Sequence, residues 1–280
     1  MKRIIIESGH AAGIPVMTLA RESAEHCPTI FFVHGFTADK KEGLPLGYRL
    51  ADLGFFVVCP DAHIHGERVD IRLEITLGEN ASNVYPYGSG LDAYFLMHEI
   101  ILRTAQDIAV LVEHFGMDRR ADVNRMGITG ISMGGFTTFY AAANHPQVQV
   151  AVPMIGIPAF AARWDDVVLE ASTYEKWAEA MEAVQDETAK RSAFMRDIDP
   201  FEKLKAFYPK PLLMLIGDKD VDAPKKYSVD LYRALKPLYA EHPGGLRLKI
   251  HDDAGHQVTP AMMEDACDWF RKYLHHASQP

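Results

Sequence analysis

Three segments of this chain carry side chains suited to nucleophilic chemistry. The first is Gly130-Ile131-Ser132-Met133-Gly134, a G-x-S-x-G pattern. A serine hydroxyl attacks weakly unless a neighbouring base takes its proton. The second segment, Asp252-Asp253-Ala254-Gly255-His256, offers an imidazole for that purpose. The third, residues 217–224, offers carboxylates that could hold the other ring nitrogen and stabilise the imidazolium that forms. Asp218, Asp220 and Asp222 all lie there; Asp220 fits a G-x-x-D-x-x-x-P spacing ending at Pro224, with Asp222 as the alternative. Such a set performs acyl transfer: the serine oxygen attacks a carbonyl carbon, and water later releases the acyl group. The order along the chain is Ser, Asp, His.

Acyl transfer also needs donors for the oxyanion that grows on the attacked carbonyl, and losing one typically costs about 3 kcal/mol of barrier. Phe31-Phe32-Val33-His34-Gly35-Phe36-Thr37 reads as a strand running into a loop that could supply one. The expected donors are the backbone N–H groups of Phe36 and of Met133, the residue after the nucleophile. His34 is read as holding the loop rather than as a base. With His65 and Trp164 it also counts among the residues that could line the substrate pocket.

These groups meet only if the intervening chain forms the right scaffold. Apolar runs at 29–33, 55–59, 125–129, 148–154, 211–216 and 246–250 are mostly continuous rather than alternating. Strands covered on both faces look like this. Between them, 46–53, 91–115, 133–144, 225–238 and 260–274 have helical spacing. The alternation predicts an α/β fold with a mostly parallel central sheet flanked by helices. Residues 2–7 and 15–20 suggest a hairpin at the sheet edge. Residues 156–208 show no convincing strand and carry Trp164, Trp177, Met181 and Met195 among many charges. They predict a small helical cap inserted into a single domain spanning 1–280. On this reading Ser132 sits at a strand-to-helix turn, where strained backbone angles present its hydroxyl and the free N–H groups of the following helix favour negative charge.

Composition narrows the function classes. The formal net charge of -9, with no basic stretch, argues against nucleic acid. Cys27, Cys59 and Cys267 are far apart and odd in number, which argues against a disulfide framework or a zinc site. The apolar run after Lys2-Arg3 ends at Glu7, too short for a signal core. No uncharged apolar run reaches the roughly 20 residues that a membrane span needs. The expectation is a cytoplasmic protein with a small-molecule ester as its partner and neither metal nor cofactor; homodimer formation is left open.

With these residues in place, the chain resembles the α/β-hydrolase superfamily, in particular small bacterial serine esterases of the dienelactone-hydrolase and prolyl-oligopeptidase-like branch. The likeness runs from Thr29 to Leu274 and rests on His34-Gly35-Phe36-Thr37, the 130–134 turn, 217–224 and Gly255-His256. Residues 61–68 look like the loop that shapes the pocket floor in that branch; a purely structural loop is the equal alternative. Dienelactone hydrolases proper use cysteine as nucleophile, and haloalkane dehalogenases use aspartate; Ser132 departs from both. The resemblance implies a carboxylesterase for small to medium acyl esters. A peptidase or thioesterase using the same three residues, or a silent binding protein on this fold, are the alternatives.

Overall fold

Continuous apolar strands belong where helices cover both faces of a sheet, and these strands lie there. A computed structural model of the chain describes residues 3–73, 90–173 and 185–275. Its strands are β1 (Ile4–Ala11), β2 (Ile14–Arg21), β3 (Cys27–Val33), β4 (Phe56–Pro60), β5 (Ala121–Ile131), β6 (Val148–Met154), β7 (Leu212–Gly217) and β8 (Leu246–His251). They form one sheet in the order β1-β2-β4-β3-β5-β6-β7-β8. β2 pairs antiparallel with β1 and β4, and every pair from β4 to β8 is parallel.

The helices are α1 (Leu44–Leu53), α2 (Gly90–Phe115), α3 (Met133–Asn144), α4 (Phe160–Ser172), α5 (Gln185–Ile198), α6 (Lys225–Leu235) and α7 (Pro260–Leu274). Strand side chains alternate between two apolar layers. Phe31, Val58 and Met214 face α2, α3 and α6 through Ile108, Leu111, Phe139 and Leu231. Ile30, Phe32, Val57 and Leu215 face α1 and α7 through Leu50, Met262, Trp269 and Phe270.

Several element boundaries differ from the sequence-based expectation, most by one or two residues and three by more. The hairpin strands are longer, because Ala12 and Gly13 both take positive φ (50° and 79°) and close a two-residue turn. β5 starts at Ala121 and bulges between Asp122 and Met126, which pair with the adjacent Pro28 and Thr29, so its polar beginning still pairs with β3. α6 stops at Leu235, since Pro237 lacks the N–H that another turn requires.

No described residue between Gly156 and Tyr208 is in a strand. Asp199 ties this segment together: its carboxylate accepts from the N–H groups of Phe160 (3.1 Å) and Ala161 (2.9 Å), which open α4, and of Phe201 (3.0 Å). Phe160, Trp164, Met195 and Ile198 pack onto Tyr94 and Met97 of α2 and onto Met133 and Phe136 of α3. This segment thus packs against the start of α3. Trp177 and Met181 fall outside the described residues. Among the described residues no helix is long and apolar enough to cross a membrane.

The strand order decides where chemistry can occur. From β3 the chain moves outward to β4, then returns to place β5 on the other side of β3. The loops leaving β3 and β5 therefore diverge and open a crevice at the carboxyl edge of the sheet, where ligands bind in open α/β folds.

Candidate active site

Ser132 stands at the tip of the β5–α3 turn with φ 53° and ψ −113°, in a region that L-residues rarely occupy. Packing imposes this strain. A Cβ at position 134 would fall 1.9 Å from the Val33 carbonyl oxygen, and one at position 130 would fall 2.4 Å from that of Gly134. Glycine at both positions lets β5, α3 and β3 close around the turn. Met154 O accepts from the Ser132 N–H at 3.0 Å, and Ser132 O accepts from the Phe136 N–H at 2.9 Å, so the strained residue is held from the sheet side and the helix side. Met133 is the first residue of α3, where amide N–H groups lack helical partners.

The loops after β7 and β8 are bound to each other. Asp218 N–H donates to His251 O and Lys219 N–H to Ala254 O, both at 3.0 Å. This pairing brings residues 220 and 256 together. His256 Nε2 lies 2.8 Å from Ser132 Oγ, and His256 Nδ1 lies 3.0 and 2.9 Å from the two oxygens of Asp220. The Asp220 side chain is inaccessible to solvent (0% exposed), and Oδ1 also accepts from the N–H groups of Asp222 (3.0 Å) and Ala223 (2.8 Å). Nδ1–H therefore points at a fixed anion, and Nε2 is left to accept from the serine hydroxyl. Burial lowers the pKa of His256, but the hydrogen bond and charge of Asp220, with Asp222 nearby, outweigh it and leave the pKa raised. Of the two carboxylates that the spacing left open, Asp220 is the one against the imidazole; Asp222 contributes its backbone N–H to Asp220.

The β3 loop is held from behind. Ala62 N–H donates to His34 Nε2 at 2.9 Å, so the ring proton is on Nδ1, which donates to Gly35 O at 2.7 Å. Thr37, at φ 67°, donates its N–H to His65 Nε2 at 3.2 Å, and His65 Nδ1 lies 3.0 Å from His63 O. The Phe36 ring meets His65 edge-on at 5.4 Å. Burial lowers the pKa of both histidines, His34 to about 4, so both stay neutral acceptors at neutral pH. Below them Lys40 Nζ pairs with Asp61 at 2.7 Å and Glu67 at 2.6 Å, and Asp61 also accepts from the N–H groups of Lys40 and Glu67. The 61–68 loop thus acts as a clamp on the β3 loop. Its Lys40–Asp61 pair has no sequence signal, because a lysine in a polar loop looks like any solvated one.

A cavity of about 450 Å³ opens beside Ser132 and His256, and its lining includes Phe36, Glu42, Leu46 and Val258. His34, His65 and Trp164, expected as pocket residues, are not in that lining. The two histidines are spent on the β3 loop. Trp164 is buried within the 156–208 segment with its Nε1–H on Ser192 Oγ at 2.9 Å. Glu42, which does line the cavity, has no sequence signal, because an acid in a charged stretch carries no distinguishing pattern. Among the described residues one group of three metal-ligand types comes within 4.8 Å, Asp220, Asp222 and His256. Two of these are already engaged with each other and with Ser132.

Comparison with known proteins agrees with this architecture. Residues 99–277 match the model of the prolyl oligopeptidase family. The chain is 30% identical over 274 residues to "Putative esterase YitV" of Bacillus subtilis (strain 168), covering 97% of this chain and 100% of that protein. It is 25% identical over 279 residues to Esterase YjfP of Escherichia coli (strain K12), again covering 97% and 100%. Among solved structures it superposes on TT1662 from Thermus thermophilus with TM-score 0.70 at 19% identity, covering 97% of this chain and 98% of that one. These matches, with an eight-stranded sheet of the α/β-hydrolase type, make this chain a hydrolase and a member of the prolyl oligopeptidase family.

Proposed function

We propose that the protein is a serine carboxylesterase that hydrolyses small to medium acyl esters through an acyl-enzyme on Ser132. The observation that carries this reading is the unbroken line from Asp220 through His256 to Ser132 Oγ, with contacts of 2.8 to 3.0 Å. His256 Nε2 takes the hydroxyl proton as Oγ attacks the carbonyl carbon, and Asp220 stabilises the imidazolium. The N–H groups of Met133 and Phe36 receive the oxyanion. His256 then passes its proton to the leaving alkoxide, and the alcohol departs. Water, activated by the same imidazole, releases the acid and restores the serine. A peptidase or thioesterase would use the same residues. The esterase reading is preferred because the relatives that this chain spans from end to end carry esterase names. By contrast, the Pyrococcus horikoshii acylaminoacyl peptidase, TM-score 0.67 at 18% identity, matches all of this chain with only 43% of its own length.

The test is Ser132→Ala assayed with p-nitrophenyl acetate and butyrate, together with labelling by a fluorophosphonate probe. The expected result is turnover lowered at least 10³-fold and no labelling of the variant. Unchanged turnover in the variant, or a wild-type protein that neither turns over ester nor reacts with the probe, would reject this function.

A further inference from the structure

Glu42 is a carboxylate inside the cavity that holds Ser132 and His256. One oxygen, Oε2, accepts from the Gly35 N–H at 2.6 Å. Among the described residues no lysine, arginine or histidine forms an ion pair with it. Burial pushes its pKa up, and the Gly35 N–H only partly offsets this. The cavity lining also includes the apolar Pro45, Leu46, Val258 and Met263. A half-buried carboxylate with one committed oxygen and no counter-ion among the described residues loses part of its hydration and has its other oxygen to offer. A cationic ligand that donates to its other oxygen would relieve this cost.

The cavity borders His256, and its lining also includes Gln257 and Val258. The leaving oxygen must come within hydrogen-bond reach of His256 Nε2 to receive the proton. An alcohol arm attached to that oxygen can therefore extend into this space.

We infer that Glu42 selects esters whose alcohol portion carries a protonated amine, with the ammonium on the Glu42 carboxylate and the alkyl arm along Leu46 and Val258. This inference rests on the serine esterase reading and adds the substrate class.

The test uses an isosteric pair, 2-(dimethylamino)ethyl butyrate and 3-methylbutyl butyrate, which differ by N–H⁺ in place of C–H. Hydrolysis is followed by pH-stat at pH 7. The expected wild-type kcat/KM is at least tenfold higher for the cationic ester. Glu42→Gln keeps an oxygen for the Gly35 N–H and removes the charge, and it should lower the ratio at least fivefold towards the ratio set by the two leaving groups themselves. Reading the ratio cancels any general loss of turnover in the variant. A second measurement needs no variant: 2-(dimethylamino)ethanol should inhibit wild-type hydrolysis of p-nitrophenyl butyrate at lower concentration than 3-methylbutan-1-ol. Ser132-dependent hydrolysis with no preference between the two esters, a preference undiminished in Glu42→Gln, or equal inhibition by the two alcohols would overturn the role of Glu42 while leaving the esterase reading intact. Absence of hydrolysis of any ester would instead reject that reading.

Discussion

Replacing Asp220 by asparagine changes one atom in a fully buried side chain, and the surrounding hydrogen bonds dictate the consequence. The oxygen at the Oδ1 position must remain an acceptor for the N–H groups of Asp222 and Ala223. The new NH₂ then takes the place of Oδ2, 2.9 Å from His256 Nδ1. Two donors cannot face each other at that distance. Nδ1–H is left with Oδ1 alone, at 3.0 Å and already shared by two N–H groups, so the proton is favoured on Nε2, which then presents N–H to Ser132 Oγ and can no longer accept the serine proton. A tautomer change of this kind costs about 10⁴-fold in kcat, or about 5 kcal/mol of barrier. There is a second signature. The Asp220 charge is what holds the pKa of His256 up against burial. The base must be neutral to work, so activity falls as pH drops through this pKa. In Asp220→Asn, burial is opposed only by the Asp222 charge, and the acidic limb of kcat/KM moves to lower pH. The assay is kcat and the pH profile on p-nitrophenyl acetate, with circular dichroism to confirm folding. Asp222→Asn, whose side chain does not hold the imidazole, should lose less than tenfold. An Asp220→Asn enzyme within tenfold of wild type, with its acidic limb unmoved, would refute this reasoning.

The clamp behind the β3 loop should respond to mutation in two ways. Lys40→Met removes the cation from an Asp61 side chain that is 0% exposed and should lower stability by about 3–5 kcal/mol in urea unfolding; a loss under 1 kcal/mol would mean that Asp61 finds other partners. His65→Phe removes the acceptor of the Thr37 N–H next to the proposed Phe36 donor. It should lower kcat at least tenfold with little change in KM, and an unchanged kcat would show that the loop keeps its shape unaided. Acid should destabilise the fold before it protonates most carboxylates. Burial sets His34 and His98 to about 4, whereas an unfolded histidine binds its proton near pH 6.5. Unfolding therefore takes up protons between these values, and stability falls as pH drops through the window by about 3 kcal/mol for each imidazole. His256, with a raised pKa, acts in the opposite sense but above this window. The urea midpoint should be lower at pH 5 than at pH 7, and an equal midpoint would contradict the assignment of two buried neutral histidines.

The alternation of continuous apolar runs with helical spacing is a local property, and it was enough to place β6, α3 and α7 to the residue and to put 130–134 at a strand-to-helix turn. Apolar periodicity is written in consecutive residues, so burial on both faces of a strand is legible without knowing its neighbours. Partnership is not written there. Within 217–224, several aspartates satisfy the same local chemistry, and only the register of β7 against β8 puts Asp220 rather than Asp222 against His256. His34 and His65 read as pocket residues because a histidine beside a catalytic loop invites that view; their neighbours, Ala62 and Thr37, are 28 residues away in each case. Lys40 and Glu42 look alike as charged residues of one short stretch, yet one is sealed against Asp61 and the other faces the cavity. The chain alone thus determined which elements form and which residue types their loops expose. The folded sheet decided which of those side chains meet, because hydrogen-bond partners and desolvation depend on distances between segments that the sequence keeps far apart.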